Sequence, residues 1–180
     1  MPMIEVTASK GALADEHIKQ RLAAELGSIA LELEASPGVH FEEMPHMQAL
    51  AWCFLNEQDI FAGGQPPENP LYRVTVTIPD GSPGLFGPLA ARGRALLVER
   101  VTRAVLTAEG TEPTTTEAYR VWVHLRSIAD GHWAGFGEIL TLPELASYGF
   151  GADETGSKTQ RLRAAALAGW NRVAVDPGGE

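Results

Sequence analysis

A single cysteine, Cys53, in 180 residues excludes an internal disulfide framework. It stands inside the apolar run Ala49 to Leu55, where a buried, unreactive thiol is the ordinary outcome. No apolar stretch approaches the ~18 residues that a membrane span requires, and no signal peptide opens the chain. The expectation is a cytoplasmic protein with no membrane partner. Positive charge is scarce: 14 Lys and Arg stand against 23 Asp and Glu, a net charge of −9. That balance sets nucleic acid aside as a partner. The scarcity is uneven. Residues 1–71 hold three basic and eleven acidic side chains, so a site for an anion has to draw its cations from the second part. The five histidines and the lone cysteine lack metal-ligand spacing. Gly84-Leu85-Phe86-Gly87 lacks the Gly-Lys-Ser/Thr ending of a phosphate loop. Ser82 and Ser127 have no nucleophile-elbow context.

What is present is a 44% hydrophobic composition, enough for one domain with a real core. Ile4 to Thr7 alternates and predicts a short strand. Ile18, Leu22, Leu26, Ile29 and Leu33 recur at spacings of four and three, one face of a helix over about residues 14–35 that Ser36-Pro37-Gly38 ends. Ala49 to Leu55 has strand length. A turn at Phe61-Ala62-Gly63-Gly64 and a Pro-rich connector follow.

The order then returns. Tyr72 to Ile78 alternates strictly, and residues 79–84 read as a loop. Pro88 suits the first position of a second helix, with Leu89, Leu96, Leu97, Val101, Ala104 and Val105 as its apolar face and Gly110 as its cap. Tyr119 to Leu125 predicts a fourth strand, and a glycine-rich turn covers Gly131 to Gly137. Val6 matches Val76 and Trp52 matches Trp122, at an offset of 70 in both cases. Each half is therefore strand, helix, strand, and the crossover makes its two strands parallel. The expected fold is α+β: tandem β-α-β units (about 2–66 and 71–140) in a domain over 1–140, forming a four-stranded sheet with both helices on one face. Apolar residues on both sides of the strands point to oligomer contacts on the other face. Residues 141–180 form a C-terminal extension with Leu142 to Ala146 and a helix near 158–170, packed on the domain or on a neighbouring subunit.

Pro2 opens the first strand. Removal of Met1 gives the chain a secondary amine fixed to a strand. Apolar walls around an amine withdraw solvation from its charged form, which suits a general base. The bland alternative is that Met-Pro is a common start.

Strand-helix-strand twice, with Pro2 at the head, resembles the tautomerase superfamily, whose members share an amino-terminal proline as catalytic base or acid. Arg120 stands where 4-oxalocrotonate tautomerase starts its second strand with an arginine, and Gly131-His132-Trp133 where that family has a Gly-His-Phe turn. The length is similar to that of the fused members: the malonate semialdehyde decarboxylase, cis-3-chloroacrylic acid dehalogenase and macrophage migration inhibitory factor groups. The resemblance implies a homotrimer, no metal or organic cofactor, and a small anionic keto-acid-like substrate. Departures are visible. No arginine follows the third strand, and the nearest cation after the first is Lys10.

On this reading Pro2 moves a proton beside a carbonyl. Arg120 is either the grip on a carboxylate or a strand-end arginine in water. Arg73 either faces the same pocket or pairs with a glutamate. Trp133 and Phe136 resemble the aromatic pair of the decarboxylase pocket; for Trp133 a subunit contact is the alternative. Arg126, His124 and Lys10 read as solvated or sheet residues. The functional expectation is a tautomerase-type isomerase. The alternatives are a cofactor-free dehalogenase, hydratase or decarboxylase, a non-catalytic binding module on this fold, or a ferredoxin-like ligand sensor.

Overall fold

A computed structural model describes residues 1–150 apart from 14, 36, 37 and 87–89. In chain order the elements are β1 (Met3–Ser9), α1 (Glu16–Glu34), a 3-10 turn (Phe41–Glu43), α2 (Pro45–Gln48), β2 (Trp52–Gln58), β3 (Tyr72–Pro79), α3 (Pro83–Phe86), α4 (Ala90–Glu109), α5 (Thr115–Ala118), β4 (Val121–Ile128), β5 (Trp133–Gly135), β6 (Glu138–Leu140) and α6 (Leu142–Phe150). The helix expected near 158–170 and the opening of the second helix at Pro88 and Leu89 lie outside the described residues.

The main sheet has the order β2-β1-β3-β4. β1 and β2 are parallel, β3 and β4 are parallel, and the halves meet antiparallel along β1 and β3. Met3 pairs with Trp52, and Arg73 with Trp122, so each half uses the same register seventy residues apart. The two tryptophans even make the same bond. Trp52 Nε1 donates to the Ala49 carbonyl at 3.1 Å and Trp122 Nε1 to the Tyr119 carbonyl at 3.2 Å.

Local rules account for the helices. The Asp15 carboxylate caps α1 by accepting from the Ile18 and His17 amides, and these bonds hold it below the usual carboxylate range. α4 ends in Gly110 at φ 86°, with the Thr111 amide donating to the Leu106 carbonyl in a Schellman arrangement. The main core lies between the helices and one sheet face: Ile4, Val6, Val74 and Val76 from the strands meet Leu22, Leu26, Leu97 and Val101. Leu96, expected on the apolar face of α4, is exposed, because its neighbour Leu97 takes the core position about 100° away.

The opposite sheet face carries Trp52, Phe54 and Trp122, which are 53%, 45% and 68% exposed. Two further elements differ from expectation. The loop at 79–84 runs into α3, and the turn at 131–137 contains half of a β5–β6 hairpin. A second apolar cluster forms where that hairpin and α6 meet the start of the chain. It joins Met1, Leu31, Ala35, Phe41 and Met47 with Trp133, Leu140, Leu145 and Tyr148.

Candidate active site

The start of β1 is buried at Met1 and Pro2. The terminal amine of Met1 donates to both carboxylate oxygens of Glu34, at 2.5 and 2.6 Å, and both groups are buried. Glu34 is the last residue of α1. A carboxylate there faces the negative end of the helix dipole, so its burial calls for a compensating cation. The chain's own amine supplies it. Ser82 adds a polar contact: its hydroxyl lies 3.4 Å from Glu34 Oε1 and donates to the Pro79 carbonyl at 2.9 Å. α3 brings Ser82 there by crossing the end of α1 closely, since a Cβ on Gly84 would run into the carbonyl oxygens of Leu33 and Ala35. The remaining surroundings of Met1 are the apolar cluster, in which Trp133 is buried.

The expected arginines are elsewhere within the chain. Arg73 pairs in register with Thr7 and donates to its Oγ1 at 3.2 Å, five positions along from Pro2, or about 17 Å. Arg120 adjoins Tyr72, opposite the far end of β1 and more than about 20 Å from Pro2. Nor is Arg120 the solvated strand-end residue of the alternative reading. It is buried, forks onto Glu109 with bonds of 3.0 and 2.8 Å, and binds Glu117 at 2.8 Å and the Pro70 carbonyl at 2.7 Å. The Glu109 and Glu117 carboxylates raise its pKa further. Burial, with Glu109 alongside, pushes the Tyr72 phenol up as well.

Arg126 is the arginine at the Pro2 end. It pairs with Thr77, which pairs with Met3, and it is exposed on the open sheet face. His124 is exposed on the same face. Phe136 is 47% exposed at the tip of the β5–β6 hairpin, with φ 60°, a left-handed conformation costly for an aromatic residue. Thus Met1, the neighbour of Pro2, shares an apolar cluster with Trp133, Phe136 lies on the hairpin that carries Trp133, and Arg73 and Arg120 lie at the other end of the sheet.

Glu34 is not among the candidates that the sequence offered. A usable signal was present: an acidic residue in the last turn of a helix contradicts the charge preference there. His40, Glu42 and Glu43 offer three ligand atoms within 4.8 Å of one another, on the surface loop before α2. The His40–Glu42 contact of 2.9 Å raises the pKa of His40. No helix among the described residues is long and apolar enough to cross a membrane.

No protein-family model matches the sequence, and no curated protein does. Solved structures do. N1, a member of the cis-3-chloroacrylic acid dehalogenase family, matches 92% of this chain and 99% of its own, with TM-score 0.63 and 17% identity. A fused 4-OT asymmetric trimer matches 80% of this chain and 98% of its own, with TM-score 0.54 and 15% identity. The macrophage migration inhibitory factor-like protein of Entamoeba histolytica matches 77% and 98%, with TM-score 0.53 and 13% identity. This is the tautomerase-superfamily fold. The four-stranded sheet is the scaffold expected from the repeat, and its first strand begins at Met3, directly after Pro2.

Proposed function

We propose that the chain is a tautomerase-type enzyme in which removal of Met1 makes the Pro2 nitrogen the reacting base. Excision moves the terminal amine by one residue, at most about 3.8 Å, from its contact with Glu34 to the Pro2 nitrogen, still in the neighbourhood of that carboxylate. The observation that carries the reading is the burial of this end of β1 between a carboxylate and an apolar wall. Pro2 takes a proton from the carbon beside a carbonyl and returns it elsewhere on the enolate. Glu34 orients the imino nitrogen through a charge-assisted hydrogen bond and receives or supplies the proton in transit. Trp133 walls the pocket and keeps water out, and Phe136 on the same hairpin closes over bound substrate. The substrate is a small keto or unsaturated carboxylic acid, with Arg126 the cation best placed in the chain for its carboxylate. Arg73 enters a site of this kind only from a neighbouring subunit, while Arg120 is held within its own chain by Glu109, Glu117 and the Pro70 carbonyl. The exposed aromatics of the open sheet face support a homotrimer packed through that face.

A second reading is a cofactor-free hydratase, dehalogenase or decarboxylase. It is favoured by Glu34 itself, since a buried carboxylate beside the amine is suited to orienting an attacking water. Mass spectrometry of the purified chain and turnover of 2-hydroxymuconate and phenylpyruvate test the first reading. The expected result is loss of Met1 and a fall of roughly 10²–10⁴ in kcat/KM for Pro2→Ala. Equal turnover by Pro2→Ala overturns the base assignment. Product formation from halogenated acrylates or malonate semialdehyde, but not from keto acids, selects the second.

A further inference from the structure

Met1 is 6% exposed although it is the first residue of the chain. Its cluster draws on five separate segments: Leu31 from α1, Phe41 from the 3-10 turn, Met47 from α2, Trp133 from the hairpin, and Leu145 and Tyr148 from α6. The members of this cluster are apolar or aromatic, and polar groups border it: the ion pair of the Met1 amine with Glu34, the Ser82 hydroxyl, and His46, whose ring centroid lies 5.5 Å from that of Tyr148. A methionine side chain is unbranched and roughly four heavy atoms long. When Met1 is excised, the reacting nitrogen stays at the mouth of the space that this side chain fills.

We infer that this space is the seat of the substrate's tail. The site takes a 2-oxo acid with a linear apolar tail of about four atoms rather than a three-carbon acid; the inference rests on the reading of Pro2 as the reacting group. Three features support the orientation. Leu31, Met47, Trp133 and Leu145 give the tail space apolar walls. A substrate carboxylate turned toward Glu34 would meet a second buried carboxylate, an unfavourable like-charge contact. The opposite direction leads past Met3 to the open sheet face, where Thr77 and Arg126 lie in register with it. The carbonyl then sits at the amine, the tail replaces Met1, and the carboxylate points to Arg126. Each methylene added within the space is worth about threefold to fourfold in affinity, until the space is full.

The test uses the Met1-free chain and linear 2-oxo acids from pyruvate to 2-oxooctanoate. Binding is measured by calorimetry or tryptophan fluorescence, and turnover separately. Affinity is expected to rise about threefold to fourfold per methylene up to a tail of about four carbons and then level or fall. Chain made in cells with methionine aminopeptidase inhibited retains Met1, and is expected to bind none of the series. Ala35→Leu, which adds volume within the cluster, is expected to move the optimum to a shorter acid. Affinity independent of tail length, or equal binding by the Met1-retaining chain, overturns the inference, and neither outcome depends on how Ala35→Leu folds. Pro2→Ala separates the two proposals. Length-dependent binding with turnover that ignores Pro2 sinks the proposed chemistry and keeps the tail pocket. Pro2-dependent turnover with flat length dependence does the reverse.

Discussion

The two halves of the sheet solve one electrostatic problem in two ways. α1 and α4 each end in a glutamate, Glu34 and Glu109, against the preference for cations at that end of a helix. In the second half the compensating cation is Arg120, whose guanidinium is fully engaged by Glu109, Glu117 and the Pro70 carbonyl. In the first half the compensating cation is the terminal amine. By the seventy-residue offset Pro2 corresponds to Tyr72, an internal residue with no amine to offer. The same frame thus closes one end with a permanent charge and leaves the other with a group that exchanges protons. On the proposed function, chemistry belongs at the amine end and stability at the Arg120 end.

Substitutions that exchange these roles test the comparison. Glu109→Ala leaves the Arg120 guanidinium buried with fewer partners and is expected to cost about 3–5 kcal/mol. Urea unfolding reads the loss, and kcat/KM per folded molecule stays near wild type. Glu34→Gln should behave in the opposite way. It keeps the shape and one acceptor, so the fold survives, while kcat/KM falls about 100-fold. If Glu109→Ala silences turnover and Glu34→Gln does not, the halves have been assigned the wrong way round.

Smaller effects sharpen the comparison at the turns and the edge strand. The first half turns through Gly63 and Gly64 at φ 57° and 81°, beside an Ala62–Gln65 bridge. The second turns through Phe136 and Gly137 at φ 60° and 80°. Phe136→Asn accepts that conformation more easily and is expected to stabilise by about 1 kcal/mol in thermal unfolding. If Phe136 closes over substrate, the same variant also raises KM. The smallest effect concerns Cys53 on β2, whose counterpart at the same offset is Val123. Burial pushes its thiol from 9.0 up to about 12. The unfolded chain therefore loses this proton first as pH rises, so the folded state loses stability between pH 9 and 12. Cys53→Val should remove that part of the alkaline decline in urea midpoint.

Much of this frame was legible in the residues. Trp52 and Trp122, Val6 and Val76 announced a repeat, and equal repeats dictate equal registers, parallel pairs and helices on one face. The placement of Pro2 at a strand head and of Trp133 in a glycine-rich turn was legible as well. The arginines were not. A guanidinium at a strand end shows its sign but not its partners, and those of Arg120 come from the end of α4 and from α5. Direction along the sheet also mattered. Because the halves meet antiparallel, the start of β3 lies beside the end of β1, which carries Arg73 away from Pro2 and brings Arg126 toward it. Glu34 sat in plain view, yet only the crossing of α3 at Gly84 puts Ser82 against it.

The enclosure of Met1 sets an order of events in biosynthesis. An aminopeptidase can trim only a terminus it can grasp, and the finished fold surrounds this one with residues as late as Tyr148. At ordinary synthesis rates those late residues leave the ribosome roughly 7–30 s after the first. On the proposed function, that interval is the window for trimming. Once Leu145 and Tyr148 are in place, a chain that missed it is sealed with its first residue inside.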